Sequence, residues 1–176
     1  MSIEIEVLNG DASWPLAKPL YDAIWPPEVV ATLPWAGITF AHADLRVLVQ
    51  DENEDLLCHV GIYRRLVKWN GQPVNIGGIG GVLTRADRRN RGLATVGLNA
   101  AIQTLRHEDS INYALLFCAS DRVPFYSARG FIPFDGDVYA EQPEGRIRVD
   151  TLSTLVHDVK RTAPTRGTID LCGLPW

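Results

Sequence analysis

Apolar and polar residues alternate with period 2 over Ser2–Leu8 (SIEIEVL), which predicts a first strand. Residues Leu16–Leu33 follow helical spacing instead. Pro26 and Pro27 behind Trp25 predict two short helices there, because a proline ends a helix at the residue before it. Leu45–Gln50 and the longer Leu56–Lys68 read as strands joined by the polar turn Asp51–Asp55. Asn70-Gly71 is a hairpin signal, since both residues tolerate positive φ, and Val74–Thr84 is expected to return antiparallel. Gly92–Arg106 then changes period. Leu98, Ala101, Ile102 and Leu105 fall on one helical face with Leu93, Val96 and Ala100 beside it, the wide apolar surface of a helix lying on a sheet. Tyr113–Cys118 (YALLFC) is a short unbroken apolar run suited to a strand covered on both faces. Asp121 is the expected cap of a helix that holds Pro124 in its first turn and stops at Gly130, and Phe131–Phe134 and Arg146–Val156 are the expected closing strands. The order predicts an α+β fold with a mixed, mostly antiparallel central sheet of about seven strands flanked by helices.

Composition narrows the class. The chain has 176 residues, 46% hydrophobic and 22% charged, ordinary for one globular domain spanning residues 1–176 with no internal repeat or linker. Cys58, Cys118 and Cys172 are odd in number and lack CxxC spacing, which argues against a disulfide framework and a zinc site; no metal is expected. No apolar stretch reaches the roughly 18 residues of a membrane span, and the opening MSIEIEVLNGDASW lacks the apolar run of a signal peptide, so the expected location is cytoplasmic. A net charge of −4 disfavours a nucleic-acid partner. Against that acidic balance, Arg85, Arg88, Arg89 and Arg91 cluster within seven residues, as a site for one discrete anion would require.

The densest chemistry lies in Ile76–Ala94 (IGGIGGVLTRADRRNRGLA). Gly77, Gly78, Gly80 and Gly81 interrupt a strand, where glycine marks a bulge or a close backbone approach. An arginine-rich turn follows, and then Gly92 opens a helix whose free N–H groups and dipole favour an anion. The segment is not a phosphate-binding P-loop, since no Gly-Lys-Ser/Thr follows. It is not a dinucleotide fingerprint either, since Leu83 stands where the third glycine belongs. It reads R-x-x-G-x-A at Arg89-Asn90-Arg91-Gly92-Leu93-Ala94, and further along comes Phe125-Tyr126-Ser127-Ala128-Arg129-Gly130-Phe131. The two motifs, in this order, resemble the GCN5-related N-acetyltransferase (GNAT) superfamily.

The resemblance implies a GNAT fold and an acetyl-CoA donor. Its pyrophosphate would lie on Arg89, Asn90, Arg91, Gly92, Leu93, Ala94 and Thr95, and its pantetheine arm along Val82, Leu83 and Thr84. The Val82 N–H would steady the charge developing on the thioester oxygen, a contribution typically of about 3–4 kcal/mol. Tyr126 would protonate the departing thiolate. A small-molecule amine is the implied acceptor.

Finer resemblances point to amines on sugars. His59-Val60-Gly61-Ile62-Tyr63-Arg64-Arg65 is similar to the H-x-G-x-x-R-R strand of nodulation protein A acyltransferases, and Trp35-Ala36-Gly37 and Gly167-Thr168-Ile169-Asp170 are similar to theirs too. Arg85-Ala86-Asp87 and the tail Cys172-Gly173-Leu174-Pro175-Trp176 resemble aminoglycoside 2′-N-acetyltransferases. Those enzymes carry a glutamate where this chain has Gly80, which leaves the general base open between His59 and water held at Gly80-Gly81. Two alternatives keep the fold: a longer acyl donor, admitted by the small residues Gly77–Gly81, and a CoA-binding domain without turnover. A homodimer through Trp176 or the sheet edges and a simple closing role for that tryptophan stand as alternatives.

Overall fold

A computed structural model describes residues 2–176. Among them the chain forms ten strands in one sheet, β1 (Ile3–Asn9), β2 (Leu45–Asp51), β3 (Leu56–Trp69), β4 (Gln72–Thr84), β5 (Tyr113–Cys118), β6 (Ile132–Pro133), β7 (Asp135–Gln142), β8 (Gly145–Arg148), β9 (Ser153–Asp158) and β10 (Arg166–Asp170). Four α-helices accompany them: α1 (Trp14–Ile24), α2 (Pro27–Val30), α3 (Leu93–His107) and α4 (Val123–Ser127). The long hairpin β3–β4 turns at Asn70-Gly71, with φ +50 and +80, and organises the rest. β4 occupies one edge of β3, while β2 pairs with the first half of the other edge and β10 with its last two residues. The pairs β4–β5 and β7–β10 are parallel and the other seven antiparallel. The expected α+β class with a mixed, mostly antiparallel sheet is the one observed.

Three details differ from expectation. Arg146–Val156 is two strands. Residues of β8 pair with β7 whereas β9 pairs with β5 and β6, so the chain has to cross from one end of the sheet to the other through Asp150–Leu152. The sheet also gains β7 and β10, whose alternation is interrupted by glycine and acid; they pair with each other and place Val138, Ala140 and Ile169 in the second core cluster. Finally, Asp121 does not cap a helix. It sits in a 3-10 turn over Ser120–Arg122, and α4 begins at Val123 with no side-chain cap, retaining Pro124 in its first turn.

The two sheet faces are filled differently. α3 lays Gly97, Leu98, Ala101, Ile102 and Leu105 on one face, joined by Tyr126 and Phe131 from the α4 region. On the other face Trp176 is buried, stacked on Tyr63 with ring centroids 5.9 Å apart, and its indole N–H donates to the Leu115 carbonyl at 3.1 Å. α1 covers the β2–β4 end of this second face with an aromatic ridge, Trp14, Tyr21 and Trp25, spaced for one side of a helix. α1 ends at the residues before Pro26-Pro27, as the sequence predicts. No helix among the described residues is long and apolar enough to cross a membrane.

Gly77 and Gly78 are required by these layers. A Cβ on Gly77 would enter Leu105 of α3, and a Cβ on Gly78 would enter the Trp176 indole. A Cβ on Gly80 would meet its nearest atoms, on Tyr63, at 3.3 Å. Gly78→Ala is therefore expected to lower unfolding stability by about 1–3 kcal/mol through overpacking, and Gly80→Ala by clearly less. Denaturant midpoints of the two variants check this, and equal losses would contradict the packing described.

Candidate active site

β4 and β5 pair from Ile76↔Tyr113 to Ile79↔Leu116 and then part. β5 continues along β9 through Cys118, so its outer edge stays satisfied while its inner edge opens. At the same point β4 bulges. Gly61 pairs with Gly80 and His59 with Leu83, so Gly81 and Val82 stand opposite Val60 alone. Gly81 takes φ +55, a left-handed conformation that side chains resist, and a Cβ there would overlap the Tyr21 hydroxyl. Val82 is half-buried and belongs to neither ladder, Leu83 is buried, and the Thr84 hydroxyl faces Cys58 Sγ at 3.6 Å. The cleft between β4 and β5 thus opens after Ile79, and the backbone of β4 turns two residues further on, at Gly81.

The cleft leads to the start of α3. Gly92 is its N-cap with φ +77, and the first helical hydrogen bond runs from the Val96 N–H to the Gly92 carbonyl, so the N–H groups of Leu93, Ala94 and Thr95 have no helical acceptor. Asn90 also has positive φ, at +62. The arginines divide. Arg85 is held by both Asp87 carboxylate oxygens, at 2.7 and 2.9 Å, and Arg89 donates to the Thr84 carbonyl at 3.3 Å. Arg91 is exposed, and Arg88 has a buried Nε with no acceptor. Arg129 braces the helix from behind, donating to Thr95 Oγ1 at 2.7 Å and to the Phe125 carbonyl at 2.6 Å.

Tyr126 belongs to the core cluster that also holds Cys118, the last residue of β5, and against which Val82 packs. It is 8% exposed and packs edge-on against Phe125 and Phe131. Burial raises its phenol above the usual range, aided by the nearby thiols of Cys118 and Cys58, so at neutral pH it carries its proton. Burial and the Asp121 charge push the Cys118 thiol up to about 11, which makes it a protonated core residue rather than a nucleophile.

A polar network behind the bulge was only partly visible in the sequence. His59 is fully buried. Its Nδ1–H donates to the Gly81 carbonyl at 2.6 Å, and its Nε2 accepts from Arg46 Nη1 at 3.1 Å. Arg46, itself 3% exposed, also donates through Nε to the Gly10 carbonyl at 2.8 Å and lies 4.8 Å from the Trp14 ring centre. Tyr21 packs edge-on against His59 at 5.2 Å. Arg46, His59, Gly61 and Tyr63 share one face by register: Arg46 opposes Gly61, and the three β3 residues are two apart. Sequence reading missed Arg46, Tyr21 and Tyr63. The one available signal was a lone arginine in the otherwise apolar run Leu45–Val49.

The acetyltransferase (GNAT) domain family matches residues 35–134. The chain belongs to that family. Its fold is shared with solved GNAT structures at low identity. The Escherichia coli N-acetyltransferase YhbS, solved in complex with CoA, superposes with a TM-score of 0.61 at 16% identity over 97% of this chain and 89% of that one. ElaA from Escherichia coli gives 0.61 at 17% identity over 89% and 100%. A GNAT acetyltransferase from Staphylococcus aureus gives 0.58 at 14% over 90% and 100%. No curated protein matches the chain. Membership makes the chain an acyltransferase of the GNAT class, with a CoA-linked donor. The residues fit such a donor: three unpaired N–H groups at a helix start and the orphaned Arg88 Nε suit a pyrophosphate, and the parted strands suit an extended arm.

Burial, with the adjacent Arg46 charge, depresses the His59 pKa to about 4, against the stabilising bond to the Gly81 carbonyl. The folded value lies below the unfolded one of about 6.5. The contribution is therefore complete above pH 6.5 and lost as pH falls through 4, because protonation would put a hydrogen on Nε2 facing Arg46. Thermal unfolding of the wild type should weaken between pH 6.5 and 4 by an amount on the order of 3 kcal/mol that His59→Asn does not show. Parallel pH profiles for the two proteins would contradict a neutral, buried His59.

Proposed function

We propose that the chain is an acetyl-CoA-dependent N-acetyltransferase acting on a primary amine of a small molecule, with amino sugars and aminoglycosides as the first acceptor class. The observation that carries this reading is the parting of β4 and β5 beside Val82, which has no partner in either ladder, with the protonated Tyr126 in the cluster against which Val82 packs. Bound acetyl-CoA supplies a thioester whose acyl carbon takes the lone pair of the amine. Leu83 and Thr84 offer backbone along which the pantetheine arm lies, and Arg89, Asn90, Arg91, Gly92, Leu93, Ala94 and Thr95 frame the pyrophosphate. Val82 donates its N–H to the thioester oxygen as charge grows there. Tyr126 gives its proton to sulfur as the carbon–sulfur bond breaks and the carbon–nitrogen bond forms; the proton lost by the amine leaves to water at Gly80-Gly81, and the Tyr126 phenolate is reprotonated from solvent.

His59 is not the base. Its Nδ1 proton is committed to Gly81 and its Nε2 lone pair to Arg46. For the donor, Phe117 supports a short acyl group. It lies immediately past the last β4–β5 pair and packs on Trp176 with centroids 5.7 Å apart, a bulky pair beside the point where the strands part. The amino-sugar acceptor is supported by the resemblance to enzymes that acylate sugar amines. The half-buried Trp25 at the end of α1 and the exposed Trp14 at its start add aromatic surface on that side.

Calorimetric titration should show acetyl-CoA binding in preference to octanoyl-CoA, and free thiol should appear with an amine panel led by amino sugars. Tyr126→Phe should lower kcat by about tenfold or more while acetyl-CoA affinity stays within about twofold. A preference for octanoyl-CoA would replace acetyl by a longer donor. Binding without turnover of any amine would make the chain a CoA-binding domain, and an unchanged kcat would remove Tyr126 from the reaction.

A further inference from the structure

The Gly81–Val82 peptide is planar and trans, so the Gly81 carbonyl and the Val82 N–H point in opposite directions. His59 lies on β3, and its Nδ1–H takes the Gly81 carbonyl at 2.6 Å. The Val82 N–H is thereby directed away from the His59 ring, on a residue that follows the point at which β5 parts from β4. Nothing in the two ladders fixes that peptide: the β3–β4 register skips Gly81 and Val82, and the β4–β5 pairing has ended at Ile79. The glycine at φ +55 leaves the peptide free to rotate where a strand residue would be locked. What holds it is a chain of donors running Arg46 Nε to the Gly10 carbonyl, Arg46 Nη1 to His59 Nε2 and His59 Nδ1 to the Gly81 carbonyl, at 2.8, 3.1 and 2.6 Å. Arg46 selects the tautomer, because a guanidinium can only donate and so leaves the ring proton on Nδ1.

We propose that His59 is a positioning residue for acyl transfer, holding the Gly81–Val82 peptide so that the Val82 N–H is aimed into the cleft in advance of the donor. This rests on the reading of Val82 as the thioester-oxygen donor, and it assigns His59 a task other than proton transfer. Preorganisation is the gain, since a donor that must first reorient loses much of its effect on the developing charge.

The test is the infrared carbonyl stretch of carbonyl-¹³C acetyl-CoA bound to the wild type and to His59 variants, read with kcat and KM on an amine the wild type acetylates. The wild type should shift the stretch to lower frequency than in free acetyl-CoA. His59→Leu should lose that shift and lower kcat by roughly 10- to 100-fold, with KM for acetyl-CoA changed by no more than about twofold. His59→Asn places an amide N–H near the Nδ1 position, whereas His59→Gln places it near Nε2, facing Arg46. Asn should restore part of the shift and of kcat, and Gln should not. If His59→Leu does not fold, the Asn and Gln pair decides alone. A shift retained in His59→Leu, or equal behaviour of Asn and Gln, overturns the role of His59 and leaves Val82 standing. Absence of a shift in the wild type overturns the Val82 reading itself, and the inference with it.

Discussion

Strand β4 is shared by two neighbours as far as Ile79 and by one beyond it, and the rest of the site depends on that change. Opening a sheet in its interior leaves backbone donors and acceptors without partners, which costs free energy wherever water is kept out. The chain limits this in two ways. β5 remains paired to β9 up to Cys118, so only the inward edges are exposed. The bulge then redirects one peptide of β4, whose carbonyl finds His59. On the α3 face, Leu98, Tyr126 and Phe131 belong to one contiguous apolar cluster with Cys118, the residue at which β5 ends.

The electrostatics behind the bulge follow from the same requirement. A buried guanidinium is expensive unless its donors are met, and Arg46 meets them with a carbonyl, an imidazole nitrogen and an indole face, with no carboxylate within salt-bridge distance among the described residues. Burial, with the cation beside it, keeps the histidine neutral, and the neutral histidine serves the cation. Removing either leaves a buried polar group without its partner, so the pair behaves as a unit. Tyr21 closes the network from α1 by filling the space over Gly81 that a side chain on β4 would have taken. A helix outside the sheet thus limits which residue the bulge accepts.

Much of this was legible because local rules and global structure agree. The Asn70-Gly71 turn, the broken α1–α2 pair and the apolar face of α3 lie where periodicity and turn chemistry put them. The H-x-G-x-x-R-R pattern has a physical content that the sequence alone did not disclose. His59 holds the bulge, Gly61 leaves room for the Tyr63 ring, Arg64 pairs with Glu108 at 3.0 Å, and Arg65 donates to the Leu174 carbonyl at 2.8 Å, fixing the tail that carries Trp176. What stayed hidden was non-local. β7 and β10 find each other across a long separation and carry little alternation. The role of Arg46 depends on which residue of β3 lies opposite it, which no window along one strand reports.

The glycine quartet shows why a glycine-rich strand is an ambiguous sign of ligand access. Three of the four missing side chains are consumed by the protein itself: Leu105 fills the place beside Gly77, Trp176 that beside Gly78, and the Tyr21 hydroxyl that beside Gly81. Gly80 alone borders space that a small side chain would fill under ordinary to slightly tight contact, against Tyr63 and Trp176 at 3.3–3.5 Å. The quartet therefore does not widen a channel for a long acyl chain. Where β4 and β5 part, two aromatic side chains take up space instead: Phe117 packs on Trp176, whose indole N–H is anchored to the Leu115 carbonyl.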